Sequence, residues 1–409
     1  RRFTALSNFN LRMHMTTHEL PNPTAAVPPR ERIDSIDVLR GVALFGVLLV
    51  NLMTEFRVSL FQQFLPSSTL PWSLNGFVES FVSFALEFKA FSLFSMLFGV
   101  GLAMQLERLS NGMRPYYFLT RRLIVLLGFG IVHLVFIWNG DILTEYAIAG
   151  FLVLPLLGTS KRWLLTASVL MFTLYAALPI LPPLIPWPST ETLVAHVAMA
   201  NQIYSTGTHL EVLRFNVQEL ELFLPLHVFV FPRTLALILF GAFMWRTGVL
   251  RQAMMYRWKI FGAAVAGIVG GIALTYASRA EIFGGWGSLG LLLQALTPIV
   301  FACGYGAFVI WLAQFSSARG ILAPFAAVGR MAFTNYILQS VIFGFVFFGY
   351  GLGLFGHMAA SPALLLGVLV YCAQAALSTV WLRRFRFGPV EWLWRTLMYG
   401  RIQPMRVDE

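Results

Sequence analysis

Arg122 and His133 stand eleven positions apart in RLIVLLGFGIVH, an otherwise apolar run that reads as one membrane-spanning helix. Eleven steps of about 100° return the chain to within about 20° of its starting face, after a rise of about 16 Å. A cation at the water boundary therefore lines up with a titratable imidazole about half a bilayer deeper. RGVALFGVLLVN repeats the spacing from Arg40 to Asn51, with an amide in place of the imidazole. Polar side chains inside a membrane are costly and mark functional candidates. An imidazole at depth can take a proton from a hydroxyl or an amine. Guanidinium groups at the boundary, Arg121 among them, can hold phosphates through charge-assisted hydrogen bonds.

After the histidine comes WNGD, Trp138 to Asp141, a strong turn signal in which Asp141 can cap the next helix. Glu145 and Tyr146 follow about five residues after the turn. An antiparallel hairpin then brings Glu145 or Tyr146 to the depth of His133, where either could fix the tautomer of the ring and raise its basicity. The alternative is a core histidine bonded to a carbonyl. Lys89, near the middle of its span, needs an acid or a water-lined cavity, and Glu87 lies on another face. Arg40 can pair with Asp37, and Asn335, Tyr336 and Gln339 suit helix–helix hydrogen bonds.

The elements that must position these groups are helices. Apolar residues make up 58% of the 409 and charged ones 11%, with mean hydropathy +0.73. A soluble domain carries about 25% charged residues, so the chain is an all-α, polytopic membrane protein. Continuous apolar runs without period-2 alternation exclude a barrel. About ten transmembrane helices are expected, centred near residues 47, 90, 127, 149, 171, 236, 267, 301, 340 and 372. The formal charge of +11 falls in every second loop and not in one stripe, which excludes nucleic-acid binding. The same alternation puts both termini in the cytoplasm. Cys303 and Cys372 lie in apolar runs and read as buried hydrophobes, and no metal site is expected.

Residues 1–30 are expected to be a disordered or cloning-derived leader, residues 31–387 the bundle, and residues 388–409 a cytoplasmic interfacial helix and tail. Trp392, Trp394 and Tyr399 with Arg395 and Arg401 suit an interface. Segment 182–220 is expected as one long external loop. Pro225 and Pro232 flank His227 in the sixth span, where they kink an ordinary helix or shape a cavity wall.

Five stretches carry a resemblance that covers nearly the whole chain. They are DVLRGVALFGVLLVN (37–51), KAFSLFSMLFGVG (89–101), HLVFIWNGDILTEYA (133–147), GRMAFTNYILQS (329–340) and GPVEWLWRTLMYGR (388–401). On these residues the chain resembles the YeiB-like bacterial membrane proteins, known as domain of unknown function 418. The first span is also similar to that of membrane acyltransferases that O-acetylate polysaccharides, where a catalytic histidine occupies the place of Asn51. The lysosomal heparan glucosaminide N-acetyltransferases are similar in having asparagine there and taking their histidine from elsewhere.

The resemblance implies an acyl-coenzyme A donor bound by Arg40, Arg121 and Arg122, with Lys89 and Asn51 beside it. His133 is then the general base, assisted by Glu145, Asp141 and Tyr146, and the acceptor is an extracytoplasmic small molecule or glycan. A homodimer stays open. The competing function is a transporter or flippase for a small or amphipathic solute, with Lys89, His133 and Glu145 as a relay.

Overall fold

A computed structural model describes residues 34–66, 69–110, 114–183, 185–279 and 287–407. The expected 1–30 leader lies outside the described residues. Every one of the ten hydrophobic centres falls on a helix, and no strand occurs among the described residues. The helices are α1 (Asp34–Asn51), α2 (Leu74–Ala85), α3 (Lys89–Leu109), α4 (Pro115–Phe136), α5 (Leu143–Val153), α6 (Lys161–Ala177) and α7 (Thr190–Thr206). They continue with α8 (His209–Thr247), α9 (Arg257–Arg279), α10 (Gly287–Leu312), α11 (Arg319–Arg330), α12 (Ala332–Phe347), α13 (Ala360–Trp381) and α14 (Pro389–Tyr399).

Among the described residues, seven helical stretches are long and apolar enough to cross a membrane, and α11 with α12, bent by 80° at their junction, makes an eighth if the pair is one span. The other two expected spans are shorter. α6 has 17 residues, about 25 Å at 1.5 Å per residue, below the roughly 30 Å of a hydrocarbon core. The apolar stretch Leu143–Gly158, α5 with a 3-10 turn, is shorter still. α8 runs for 39 residues, about 58 Å, twice what a crossing needs.

The expected long loop at 182–220 is instead mostly helix. Ser189 accepts the backbone N–H of Thr192 to start α7, and Thr208 with Glu211 forms a capping box that starts α8. Both caps are readable as Ser/Thr before a helical run, and the proline cluster just ahead of them draws attention away. Pro225 and Pro232 lie inside α8 without ending it.

Several helix pairs bring backbones into contact, α9 with α10 through Gly267 and Gly304 among them, and two such crossings frame the interior. A β-carbon on Gly41 would overlap the Phe325 carbonyl, and one on Gly329 would overlap that of Asp37, so α1 and α11 touch along a small-residue seam. α3 and α8 do the same through Gly99 against Ile238 and Gly241 against Met96. With no hydrophobic force between helices in lipid, such close approach is what holds a bundle together.

Two interruptions matter for the interior. α1 passes into a π-helical turn, Leu52–Phe56, a feature common at functional sites. The apolar stretch Leu74–Leu109 breaks between α2 and α3, where Phe88 takes the left-handed conformation with φ +59°. An aromatic residue is strained there, and such strain collects at ligand sites.

α14, expected at the interface, folds back onto the bundle. Glu391 is buried and accepts the Phe333 N–H at 2.7 Å, the Thr334 N–H at 3.1 Å and the Thr334 hydroxyl. It therefore caps the first turn of α12 from another element. Burial pushes the Glu391 carboxyl up from the ordinary carboxylate range, against the pull of those donors. A raised folded value means that the folded state holds the proton more tightly. Its contribution to stability is thus fully present below the unfolded carboxylate range and is lost as pH rises through the raised value. Thermal unfolding in neutral detergent should therefore show a pH-dependent step that Glu391→Gln removes. The substitution should cost about 1 kcal/mol, because the amide still accepts but donates in place of one acceptor. An identical pH profile in the variant would refute this.

Candidate functional site

Two cavities enter the bundle from opposite ends. The larger, about 590 Å³, lies at the end away from the basic loops, between the π-helical turn after α1, the α2–α3 break and the proline-bearing part of α8. Its polar lining includes Glu55, Asp141, Glu145, His227, Arg233 and Thr234, on otherwise mostly apolar walls. The smaller, about 280 Å³, lies at the basic end, lined by Arg40, Gln105, Arg108, Arg122, Arg395 and Trp394 among others. Ile142 and Tyr146 line both. The Tyr146 hydroxyl sits 2.7 Å from the Ser95 hydroxyl and forms the partition.

His133 is completely buried beside this partition. Its Nδ1 lies 2.9 Å from Asp141 Oδ1, and its Nε2 lies 2.9 Å from the Ser340 hydroxyl. The other Asp141 oxygen accepts the Thr144 N–H at 2.7 Å. One carboxylate thus caps the hairpin's second helix and orients the imidazole. With Asp141 on Nδ1–H, the lone pair on Nε2 faces Ser340. That Asp–His–Ser order is the connectivity of a general base next to a hydroxyl.

The partner expected for the ring was Glu145 or Tyr146, and the hairpin is tighter than that expectation allowed. Gly130 of α4 lets the Thr144 backbone lie directly against it, which turns Asp141 inward. Glu145 instead faces α8, where it accepts the Thr234 hydroxyl at 2.5 Å and meets His227 Nδ1 at 3.4 Å.

The two arginine-led ladders converge in part. Arg40 is paired with Asp37 at 3.0 Å and lines the smaller cavity. Arg122 donates to Gln105, packs under Trp394 with 4.6 Å from guanidinium to ring, and keeps a buried Nε without a partner among the described residues. A β-carbon on Gly101 would lie 3.7 Å from Arg40 Nη2 and 3.9 Å from Arg122 Nη2, so both cations reach over that glycine.

The other expected site residues lie elsewhere. Arg121 lines neither cavity and lies against Gly400 at the end of α14. Lys89, also outside both cavities, donates to the Ser83 carbonyl at 3.0 Å and ties the start of α3 across the helix break. Asn51 is buried at the end of α1, off both linings, with its Oδ1 unpartnered among the described residues.

Sequence reasoning passed over Ser340, Glu55, Arg233 and Glu391. Ser340 ends the stretch GRMAFTNYILQS, where a lone serine on an apolar helix gives no sign of its partner. Glu55, a carboxylate in the apolar run NLMTEF, was a readable signal, as was Arg233 one residue after Pro232. Among the described residues, no group of His, Cys, Asp and Glu could hold a metal ion.

The family model described as "protein of unknown function (DUF418)" matches residues 242–401. Its match takes in Ser340, Glu391 and Trp394. Beyond it, a Bacillus subtilis (strain 168) protein named "Uncharacterized protein YxaH" is 33% identical over 396 residues, covering 92% of this chain and 96% of its own. The chain belongs to the YeiB-like DUF418 family. The Escherichia coli (strain K12) "Uncharacterized protein YeiB" is 29% identical over 388 residues, covering 90% of this chain and 96% of its own. A Bacillus acidopullulyticus protein, "Uncharacterized 39.9 kDa protein in amylase 3'region", is 28% identical over 380 residues. These DUF418 alignments reach the His133 hairpin and Arg122, which the family model's own match does not.

Proposed function

We propose that this DUF418 protein is a membrane acyltransferase, moving an acyl group from acyl-coenzyme A to an acceptor that enters from the other side. The observation that carries the reading is the pair of cavities sharing Tyr146 and Ile142. A basic one suits a phosphate-rich donor, and a mixed polar and apolar one suits an acceptor. Arg40 and Arg122, reaching over Gly101, would take the donor's phosphates. The acyl thioester would extend toward Tyr146.

His133 is the base in this reading. His133 and Ser340 line neither cavity, so in this reading the acceptor's hydroxyl or amine reaches Nε2 only when Ser340 swings aside. As its proton passes to Nε2, its oxygen or nitrogen attacks the thioester carbonyl, and the proton leaves with the coenzyme thiolate. Asp141 stabilises the transient imidazolium. The deciding experiment incubates the purified protein with radiolabelled acetyl-coenzyme A and envelope extract. Transfer of label to an extract component supports the reading. Coenzyme A that neither binds nor turns over removes it.

A transporter reading draws on the same partition, since cavities stacked on either side of one tyrosine resemble an alternating-access path. It requires flux of a solute across sealed vesicles with no acyl product formed.

Orientation follows from the positive-inside rule and belongs to this proposal. The basic cavity would face the cytoplasm, where coenzyme A is made, and the membrane would be a bacterial inner membrane. A reporter fused after Trp187 should read external and one after Arg251 cytoplasmic. Swapped readings would reverse the assignment, and both on one side would end the ten-span model.

A further inference from the structure

Arg233 is a buried cation that forms no ion pair among the described residues. It is 6% exposed, lies on the wall of the larger cavity, and two of its three guanidinium nitrogens, Nε and Nη1, are covered yet have no hydrogen-bond partner among the described residues. The guanidinium is held by aromatic faces instead, 4.9 Å from the Phe88 ring and 5.7 Å from the Tyr175 ring. An arginine cannot shed its charge, so at this depth it needs a counter-ion.

Three of the four acids that line the cavity are already engaged, and none of the four forms an ion pair with Arg233 among the described residues. Asp141 is shared between His133 and Thr144, Glu145 between Thr234 and His227, and Glu87 accepts the Ser83 hydroxyl. Glu55 lies against Gly140. The chain also accepts a left-handed Phe88 to place a ring against the guanidinium, which holds Arg233 on the cavity wall with two covered donors unpaired among the described residues. The planar fork of a guanidinium matches two oxygens of one oxyanion. Much of the rest of the wall, with Phe64, Phe91, Trp187, Phe223 and Leu226, is apolar.

We propose that the larger cavity is a binding site for an amphipathic oxyanion, whose carboxylate or phosphate pairs with Arg233 while its hydrocarbon part lies along the aromatic wall. This deepens the function proposed above by naming the class of acceptor, and rests on that reading for the word acceptor alone. The binding site itself stands on Arg233 and its surroundings.

The test titrates the full chain, in neutral detergent, with four probes by calorimetry: hexyl phosphate, hexanoate, inorganic phosphate and hexyltrimethylammonium. Hexyl phosphate and hexanoate should bind saturably at one site. Arg233→Gln should weaken both by about tenfold or more, the worth of hydrogen bonds to a charged group, and Arg233→Lys should fall between. Leu226→Trp, which keeps the cation and fills the wall, should also weaken hexyl phosphate, and it answers the question if Arg233→Gln does not fold. Arg121→Ala, outside both cavities, should leave these titrations unchanged. Full binding of hexyl phosphate and hexanoate in both Arg233→Gln and Leu226→Trp would put the probe elsewhere and overturn the proposal. Equal affinity for inorganic and hexyl phosphate would overturn its amphipathic part, and stronger binding of hexyltrimethylammonium would overturn the whole. Oxyanion binding without acyl transfer under any condition would end the enzyme reading and leave the site intact.

Discussion

Replacing His133 by glutamine is expected to lower acyl transfer by about 10² to 10⁴, the usual worth of a general base. Glutamine has similar volume and can still hydrogen bond, so no cavity opens, but it takes no proton at neutral pH. Donor binding should be unchanged, since His133 lines neither cavity. Stability should fall modestly, by about 1–3 kcal/mol, because one of the two partners, Asp141 or Ser340, is left imperfectly matched. The companion variant, Ser340→Ala, separates two roles for the hydroxyl. If Ser340 only holds the acceptor's place, its removal leaves transfer largely intact. If Ser340 carries the acyl group as a covalent intermediate, transfer collapses as far as in the histidine variant. A His133→Gln protein with full activity from pH 5 to 8 would end the mechanism.

The second large effect is expected at Arg122. Arg122→Ala should weaken coenzyme A binding by about 10- to 100-fold, from the loss of one or two charge-assisted hydrogen bonds. Arg122→Lys should recover part of that, since a point charge lacks the planar fork and stacks less well on Trp394. Arg121→Ala should bind normally, because that side chain lies outside both cavities. Folding should survive these changes. Arg122 sits with Arg40 over Gly101, so removing it relieves a like charge more than it orphans an acid. Unchanged affinity in Arg122→Ala, measured by equilibrium binding, would take the donor out of this cavity.

Much of this architecture was legible because a membrane span announces itself by length and apolarity alone. The ten centres and the His133–turn–Glu145 hairpin needed nothing beyond period and turn chemistry. What periodicity could not supply was rotation about the hairpin axis. Depth alone allowed Glu145 or Tyr146 to reach the ring, whereas Asp141, expected as a helix cap, is the carboxylate on Nδ1 and caps the helix with its other oxygen. Ser340 was beyond reach for a different reason. It sits 207 positions from His133, and one sequence carries no trace of so distant a pairing. Arg121 and Arg122 are adjacent and chemically alike, yet a helix sends neighbours about 100° apart, so only one can face the cavity. α14 looked interfacial from its tryptophans and arginines, a composition that serves equally well for a helix closing a basic cavity.

The seams at Gly41 and Gly329, and at Gly99 and Gly241, have a consequence for how this molecule can change shape. Interlocked backbones leave two helices no room to slide or roll, so α1 with α11 and α3 with α8 each behave as a single beam. The degrees of freedom left for admitting a ligand lie where the chain is not interlocked. These are the strained joint at Phe88 and the short α14, hinged on its buried carboxylate. A methyl group at any of the four glycines is therefore a wedge at the one kind of place where the bundle cannot yield.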